Sequence, residues 1–292
     1  MITIDPKDVS VGKLHGMMLG SIGPRPIAFA STINSNGVPN LSPFSFFNVF
    51  SANPPILIFS PARRVRDNTT KHTLENAKST KEVVINIVTY PIVQQMSLSS
   101  TEYPEGVNEF EKSGLTMVTS EKVKPPRVKE SPVQFECKVN EIIHLGDQGG
   151  AGNLIICEVL CMHISEDILD SNGAIDQHKI DLVARMGGNW YTRANMGMFE
   201  VPKPLSSLGI GVDLLSDTIR NSAVFTGNDL GKLANVENIP SMQKSEEFFK
   251  GQLELKNKVD QGALKDIHVL AKQYLDQDKI DIAWYILVAK GL

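Results

Sequence analysis

Along the first two thirds of the chain, apolar residues gather in short runs of strand length. PIAFASTI (26–33), PPILIFSP (54–61) and EVVINIVT (82–89) are such runs, rich in β-branched and aromatic residues. The NSNG tetrapeptide (34–37) after the first run is a hairpin signal, so VPNLSPFSFFNVFS (38–51) is expected to return beside it as one strand. SPVQFECKVNEIIHLG (131–146) and GNLIICEVLCMHIS (152–165) alternate over a greater length and flank a loop containing GDQGGAG. Long alternating strands joined this closely predict an antiparallel barrel and not a parallel sheet. Between the runs, TTKHTLENAKST (69–80), PIVQQMSLSS (91–100) and GVNEFEKSG (106–114) read as short helices.

The rhythm changes after VPKPLSSLG (201–209), which carries two prolines. LLSDTIRNSAVF (214–225) and the segment 263–292 show helical spacing. In the second, Leu264, Ile267, Ala271, Tyr274 and Leu275 fall on one helical face. The expected fold class is therefore mainly β (α+β). Residues 1–200 would form a β domain with inserted helices, and residues 201–292 a mostly helical C-terminal extension without a recognisable chemical motif.

One stretch resists this scheme. NLSPFSFFN (40–48) is apolar enough to be buried, yet Asn40, Ser42, Ser45 and Asn48 interrupt it and Pro43 would break a sheet ladder. Composition narrows the reasons. A net charge of −4 argues against a nucleic-acid binder. Three widely spaced cysteines, Cys137, Cys157 and Cys161, do not make a disulfide framework and point to a reducing compartment. The N-terminal MITIDPKDVSVG lacks the pattern of a secretory signal, and no run reaches the length of a membrane span, so a cytoplasmic protein is expected.

The densest cationic stretch is ARRVRDNTTKHT (62–73), where Arg63, Arg64, Arg66 and Lys71 face the single acid Asp67 just before a predicted helix. A helix N-terminus offers unpaired N–H groups and the positive end of a dipole, and arginine or lysine beside it makes a phosphate site. The same residues also suit a solvated loop closed by an N-cap threonine. In MGGNWYTRAN (186–195), two glycines permit close backbone approach and Trp190 and Tyr191 offer flat surfaces to a planar ligand. A tight turn followed by a core aromatic pair is the alternative. No dinucleotide-binding glycine motif, phosphate-binding P-loop, paired-cysteine or zinc-protease motif occurs. Cys157 and Cys161 lie four apart in a predicted strand, as two small buried residues of one face would. The six histidines show no ligand spacing, and only His72, in the cationic helix start, suggests chemistry.

Taken in order, these segments resemble the flavin reductase-like family of FMN-binding split β-barrels. The resemblance is carried by GPRPIAFASTINSNGVPNLSPFSFFNVFSANPPILIFSP (23–61), KHTLENA (71–77), EVVINIV (82–88), VNEFEKSGLT (107–116), ESPVQFECKV (130–139), NLIICEVLCMHI (153–164) and ARMGGNWYTR (184–193). It implies a split barrel that binds FMN non-covalently, as a homodimer, with NAD(P)H as co-substrate. Reducing equivalents would pass to a flavin, a ferric complex or a monooxygenase partner. An electron carrier with little reductase activity would use the same pocket, and pyridoxamine phosphate oxidases are related split barrels.

By the same resemblance, Ser31, Thr32, Asn40, Ser42, Pro43, Ser45 and Asn48 would line the flavin ring and ribityl chain, with Phe44, Phe46 and Phe47 supplying apolar wall. Ser60, Arg63 or Arg64, Lys71, His72 and Thr73 would hold the phosphate, with His72 standing where aspartate is common. Arg185, Gly187, Gly188 and Tyr191 would lie near the mouth of the flavin or nicotinamide site. Hydride chemistry would belong to the cofactor, so no catalytic side chain and no metal ligand is expected.

Overall fold

The structure, a computed structural model, describes residues 1–201 and 208–292. The chain divides into two compact units, Met1–Met198 and Phe199–Leu292. Most of the proline-bearing segment VPKPLSSLG lies outside the described residues. No helix among the described residues is long and apolar enough to cross a membrane.

The first unit is built on a seven-stranded antiparallel sheet. In chain order its strands are β1 (Ala28–Ile33), β2 (Pro39–Phe44), β3 (Phe47–Ala52), β4 (Pro55–Phe59), β5 (Glu82–Ile87), β8 (Val133–His144) and β9 (Asn153–Ile164), and in space β2-β1-β5-β8-β9-β4-β3. Two pairs of short strands stand apart, β6 (Met117–Val118) with β7 (Arg127–Val128) and β10 (Val183–Arg185) with β11 (Tyr191–Arg193). The expected single strand 38–51 is in fact two. β2 and β3 occupy opposite edges of the sheet, yet only Ser45 and Phe46 separate them along the chain. The three steps from Phe44 to Phe47 span at most about 11 Å, so the sheet must curl until its edges meet. Pro43 is tolerated because β2 is an edge strand.

Both faces of this sheet are covered. Ala28, Ala30, Phe44, Phe59, Ile85 and Cys137 pack with Leu74 and Ala77 of helix α2 (His72–Thr80). On the other face Phe29, Leu41 and Val88 pack with Met96 of α3 (Val93–Leu98) and Phe110 of α4 (Glu109–Ser113). Strand β1 lies between the two cores and all six of its residues are buried. A further helix, α1 (Val11–Ser21), was not expected: Gly12, Gly16 and Gly20 obscure its pattern and none of its residues is buried. Cys161 does not share the buried face of Cys157. The register of β8 with β9 slips past Leu160, and this bulge turns Cys161 to the side of Glu136.

The second unit is helical, with α5 (Asp217–Arg220), α6 (Gly227–Ala234), α7 (Met242–Phe249), α8 (Leu253–Gln261), α9 (Leu264–Leu275) and α10 (Ile280–Ala289). Trp284, Leu233, Ile267, Ala271 and Leu275 form its core, and the Trp284 indole donates to the Leu233 carbonyl at 3.1 Å. The helical run expected over 263–292 breaks between α9 and α10, where Asp278 takes a left-handed conformation. Leu264, at the first turn of α9, is exposed. Of the segment 214–225, only α5 is α-helical.

Candidate functional site

The cationic loop 62–71 leads into α2, and its end forms a small open cleft. Asn40, Ser42, Arg64, Lys71, His72, Thr73 and Glu109 line it together with residues 99–103. Lys71 is the N-cap of α2 and no side chain caps the helix. The expected threonine cap is therefore absent, and the first turn of α2, through His72 and Thr73, borders a cleft that also holds Arg64 and Lys71. Arg64 is fixed there by hydrogen bonds from Nη1 to Thr69 Oγ1 (2.8 Å) and the Thr70 carbonyl (2.6 Å). Burial and the neighbouring Arg64 lower the Lys71 pKa, partly offset by Glu102.

The floor of the cleft is a chain of buried polar groups. Glu109 accepts from Asn40 Nδ2 (2.9 Å) and from the Leu41 N–H (3.0 Å), and Asn40 Oδ1 accepts from Thr73 Oγ1 (2.8 Å). Burial raises the Glu109 pKa, against the pull of these donors. Asn40 is thus held on both ends of its amide, with β2, α2 and α4 tied together through it. Neither Glu109 nor Glu102 was singled out by sequence reasoning. Glu109 falls inside the quoted run VNEFEKSGLT, but only the fold reveals that it lies beneath Asn40.

The remaining expected residues are placed differently from one another. Arg63 turns inward on its own loop, donating to Asn68 Oδ1 (2.6 Å) and the Asn68 carbonyl (2.7 Å), so Arg64 is the arginine that lines the cleft. Ser60 Oγ accepts the Asn153 N–H (3.0 Å), which fixes the start of β9. Ser31 and Thr32 are adjacent on β1 and point to opposite faces. Thr32 accepts from Asn76 Nδ2 of α2 at 3.1 Å, and Ser31 Oγ is buried without a partner. Phe44 packs against Phe59 in the core, with ring centroids 5.5 Å apart. Pro43 and Ser45 are partly buried, whereas Phe46 and Asn48 are exposed, Asn48 accepting from the Val49 N–H.

The glycine pair lies toward the other end of β1, where Arg25 pairs with Arg185 just before the strand begins. A Cβ on Gly187 would stand 3.0 Å from the Gly20 Cα, so this glycine serves close packing of the 186–190 turn on α1. Gly188 has a φ of +57°, the left-handed region that favours glycine. Arg25 secures the same junction, donating to the Leu19 carbonyl (2.7 Å) and the Met186 carbonyl (2.8 Å). Tyr191 carries the Arg185 guanidinium over its ring at 4.6 Å, whereas Trp190 is exposed, so the expected core aromatic pair does not form.

Among the described residues, Glu136, Cys161 and His163 are the one trio spaced as metal ligands. The Glu136 carboxylate is already occupied, however. It accepts the N–H groups of Glu121, Lys122 and Val123 and lies 2.7 Å from His163 Nε2 and 3.7 Å from Arg127 Nε. A saturated carboxylate beside a guanidinium is a structural anchor and a poor cation ligand.

A family model described as flavin reductase like domain matches residues 20–179. The chain belongs to this flavin reductase-like family. An uncharacterized protein of Aquifex aeolicus (strain VF5) is 40% identical over 188 residues, covering 64% of this chain and 93% of that one. Nitrilotriacetate monooxygenase component B from Bacillus cereus is 30% identical with a TM-score of 0.65, covering 69% of this chain and 98% of its own. A Shewanella frigidimarina NCIMB 400 structure with a split barrel domain is 25% identical with a TM-score of 0.58, covering 70% of this chain and all of its own (100%). The curled sheet of the first unit is accordingly a split barrel, and the C-terminal helical unit lies outside the family match.

For this flavin reductase-like chain, the donor set can be tested against a flavin nucleotide. Arg64, Lys71 and the uncapped N-terminus of α2 suit a phosphate. Ser42, Thr73 and Asn40 line the same cleft and are polar groups of the kind a hydroxylated chain would meet. Phe46, in the crossing from β2 to β3, and Val49 and Phe50 of β3 are exposed apolar side chains of the kind a flat ring requires. The residues present fit FMN best at its phosphate end.

Proposed function

We propose that this protein binds FMN non-covalently and acts as an NAD(P)H-dependent flavin oxidoreductase, delivering electrons to a flavin, a ferric complex or a monooxygenase partner. The observation that carries this reading is the cleft at the uncapped start of α2, where Arg64 and Lys71 converge beside Asn40 and Ser42. FMN supplies the hydride and electron chemistry when bound. The chain's own residues bind and orient. Arg64, Lys71 and the first-turn N–H groups neutralise the phosphate, and Glu109 holds Asn40 in a single orientation. No side-chain acid, base or nucleophile is needed for this role.

The apolar side of such a site is open in one chain, which supports a homodimer. Leu160, Met162 and Ile164 project from β9 and Val49 and Phe50 from β3, all exposed. A reducing, cytoplasmic setting accords with three free cysteines, two of them buried. Sedimentation of the purified protein should give twice the mass of one chain. The decisive experiment identifies the flavin released on denaturation, then mixes the FMN-loaded protein with NADH or NADPH under stopped flow. Bleaching of the oxidised flavin band at roughly 450 nm is expected with at least one of them. Bleaching with neither would refute the reductase reading.

A further inference from the structure

Three cations of the loop before α2 converge on one carboxylate. Glu102 Oε1 lies 3.0 Å from Arg64 Nε and 3.8 Å from Lys71 Nζ, and its Oε2 lies 2.9 Å from Arg66 Nη2. Glu102 lines the same cleft as Arg64 and Lys71, whereas Arg66 stands outside it and is 72% exposed. The carboxylate belongs to a segment with a locally closed backbone. The N–H groups of Ser100, Thr101, Tyr103 and Val107 all donate to carbonyls two or three residues back. Glu102 ties this segment to the cation loop through Arg64, Arg66 and Lys71.

We infer that Glu102 is an internal anion standing in the phosphate position, so that a phosphate-bearing ligand must displace its carboxylate from Arg64 and Lys71. The inference rests on the reading of the cleft as a phosphate site. A carboxylate and a phosphate cannot both hold Arg64 and Lys71 at hydrogen-bond distance without bringing like charges into contact. Displacement leaves Glu102 a partner, because Arg66 lies outside the cleft and is free to keep its bond. Glu102 thereby sets the affinity of the cleft and its preference for phosphorylated over neutral ligands. The phosphate has two chemical sources, the monoester of a flavin nucleotide or a phosphate of a nicotinamide nucleotide.

The test compares flavin-free wild type with Glu102→Gln, and with Glu102→Ala as a second variant that cannot hydrogen-bond, after unfolding curves confirm that each is folded. FMN and riboflavin are titrated by flavin fluorescence at fixed ionic strength, NADH and NADPH by calorimetry, and inorganic phosphate as a competitor. Both variants should bind FMN about fivefold more tightly, on the scale of exposed ion pairs, with riboflavin unchanged. If NADH or NADPH gains and FMN does not, the inference holds with the nicotinamide nucleotide as the phosphate source. Equal or weaker binding of all the phosphate ligands by both variants overturns it. An Arg64→Ala, Lys71→Ala double variant separates the two failures. If it weakens FMN while the Glu102 variants do not tighten it, only the role of Glu102 falls. If it too leaves FMN unchanged, the phosphate reading of the cleft falls.

Discussion

Removing the Glu109 carboxylate tests whether the cleft depends on its floor. In Glu109→Ala, the Leu41 N–H and Asn40 Nδ2 lose their acceptor, and Leu41, Asn40 and Glu109 are all buried. Each orphaned donor costs about 1–3 kcal/mol. Part of this is offset, because burial already works against the carboxylate. A net loss of about 2–4 kcal/mol in unfolding free energy is expected, read from urea denaturation with an unchanged slope. Glu109→Gln should fall between, since its amide nitrogen must face one of the two donors. The pH dependence has a definite sign. Burial raises the Glu109 pKa above that of the unfolded chain, so its contribution is greatest below about pH 4.3, the ordinary glutamate value. It diminishes as pH rises through the raised folded value, and the gap between wild type and Glu109→Ala should narrow from acid toward neutral pH. A loss below about 0.5 kcal/mol, within the range of an ordinary surface change, would refute the assignment of Glu109 as the support of Asn40.

Three further outcomes follow from the same geometry. Lys71→Ala combined with Arg64→Ala should weaken FMN binding by about tenfold, two charge-assisted contacts discounted for partial exposure, and leave riboflavin unaffected in a fluorescence titration. Glu136→Ala strips the acceptor from three backbone N–H groups and His163 in a fully buried position, and should cost about 3–5 kcal/mol. Burial pushes the Glu136 pKa up, but the N–H groups of Glu121 and Lys122 and the bond to His163 outweigh it and hold the carboxyl below its usual range. The stability it confers is therefore present above about pH 4.3 and disappears as pH falls through the depressed value, so thermal melts of the variant should lose that acid limb. Gly187→Ala forces a Cβ against the Gly20 Cα at 3.0 Å, and should lower stability by about 1–3 kcal/mol, measurable as a fall in Tm.

What could be read from the chain, and what could not, divides along the distance between interacting residues. Element type was legible wherever periodicity was strong: β5, β8, β9 and α2 lie within the runs that predicted them. The break at Ser45 and Phe46 was not, because an apolar run of fourteen residues reads as one strand until its two halves are seen at opposite edges of the sheet. That break reassigns NLSPFSFFN. Asn40, Ser42 and Phe44 share one face of β2, where Phe44 completes the core while Asn40 and Ser42 open onto the cleft. Ser45 and Phe46 make the crossing and Asn48 belongs to another strand. The opposite orientations of Ser31 and Thr32 follow from the two-residue period of any strand and were implicit in the sequence. The acids were beyond local reading. Glu109 meets Asn40 across 69 residues and Glu102 meets Arg64 across 38. Charge density along ARRVRDNTTKHT therefore signals a surplus of cations awaiting a ligand, whereas the fold supplies an anion from the chain itself. Whatever binds there competes with Glu102, and its affinity measures the difference between two anions and not the strength of one.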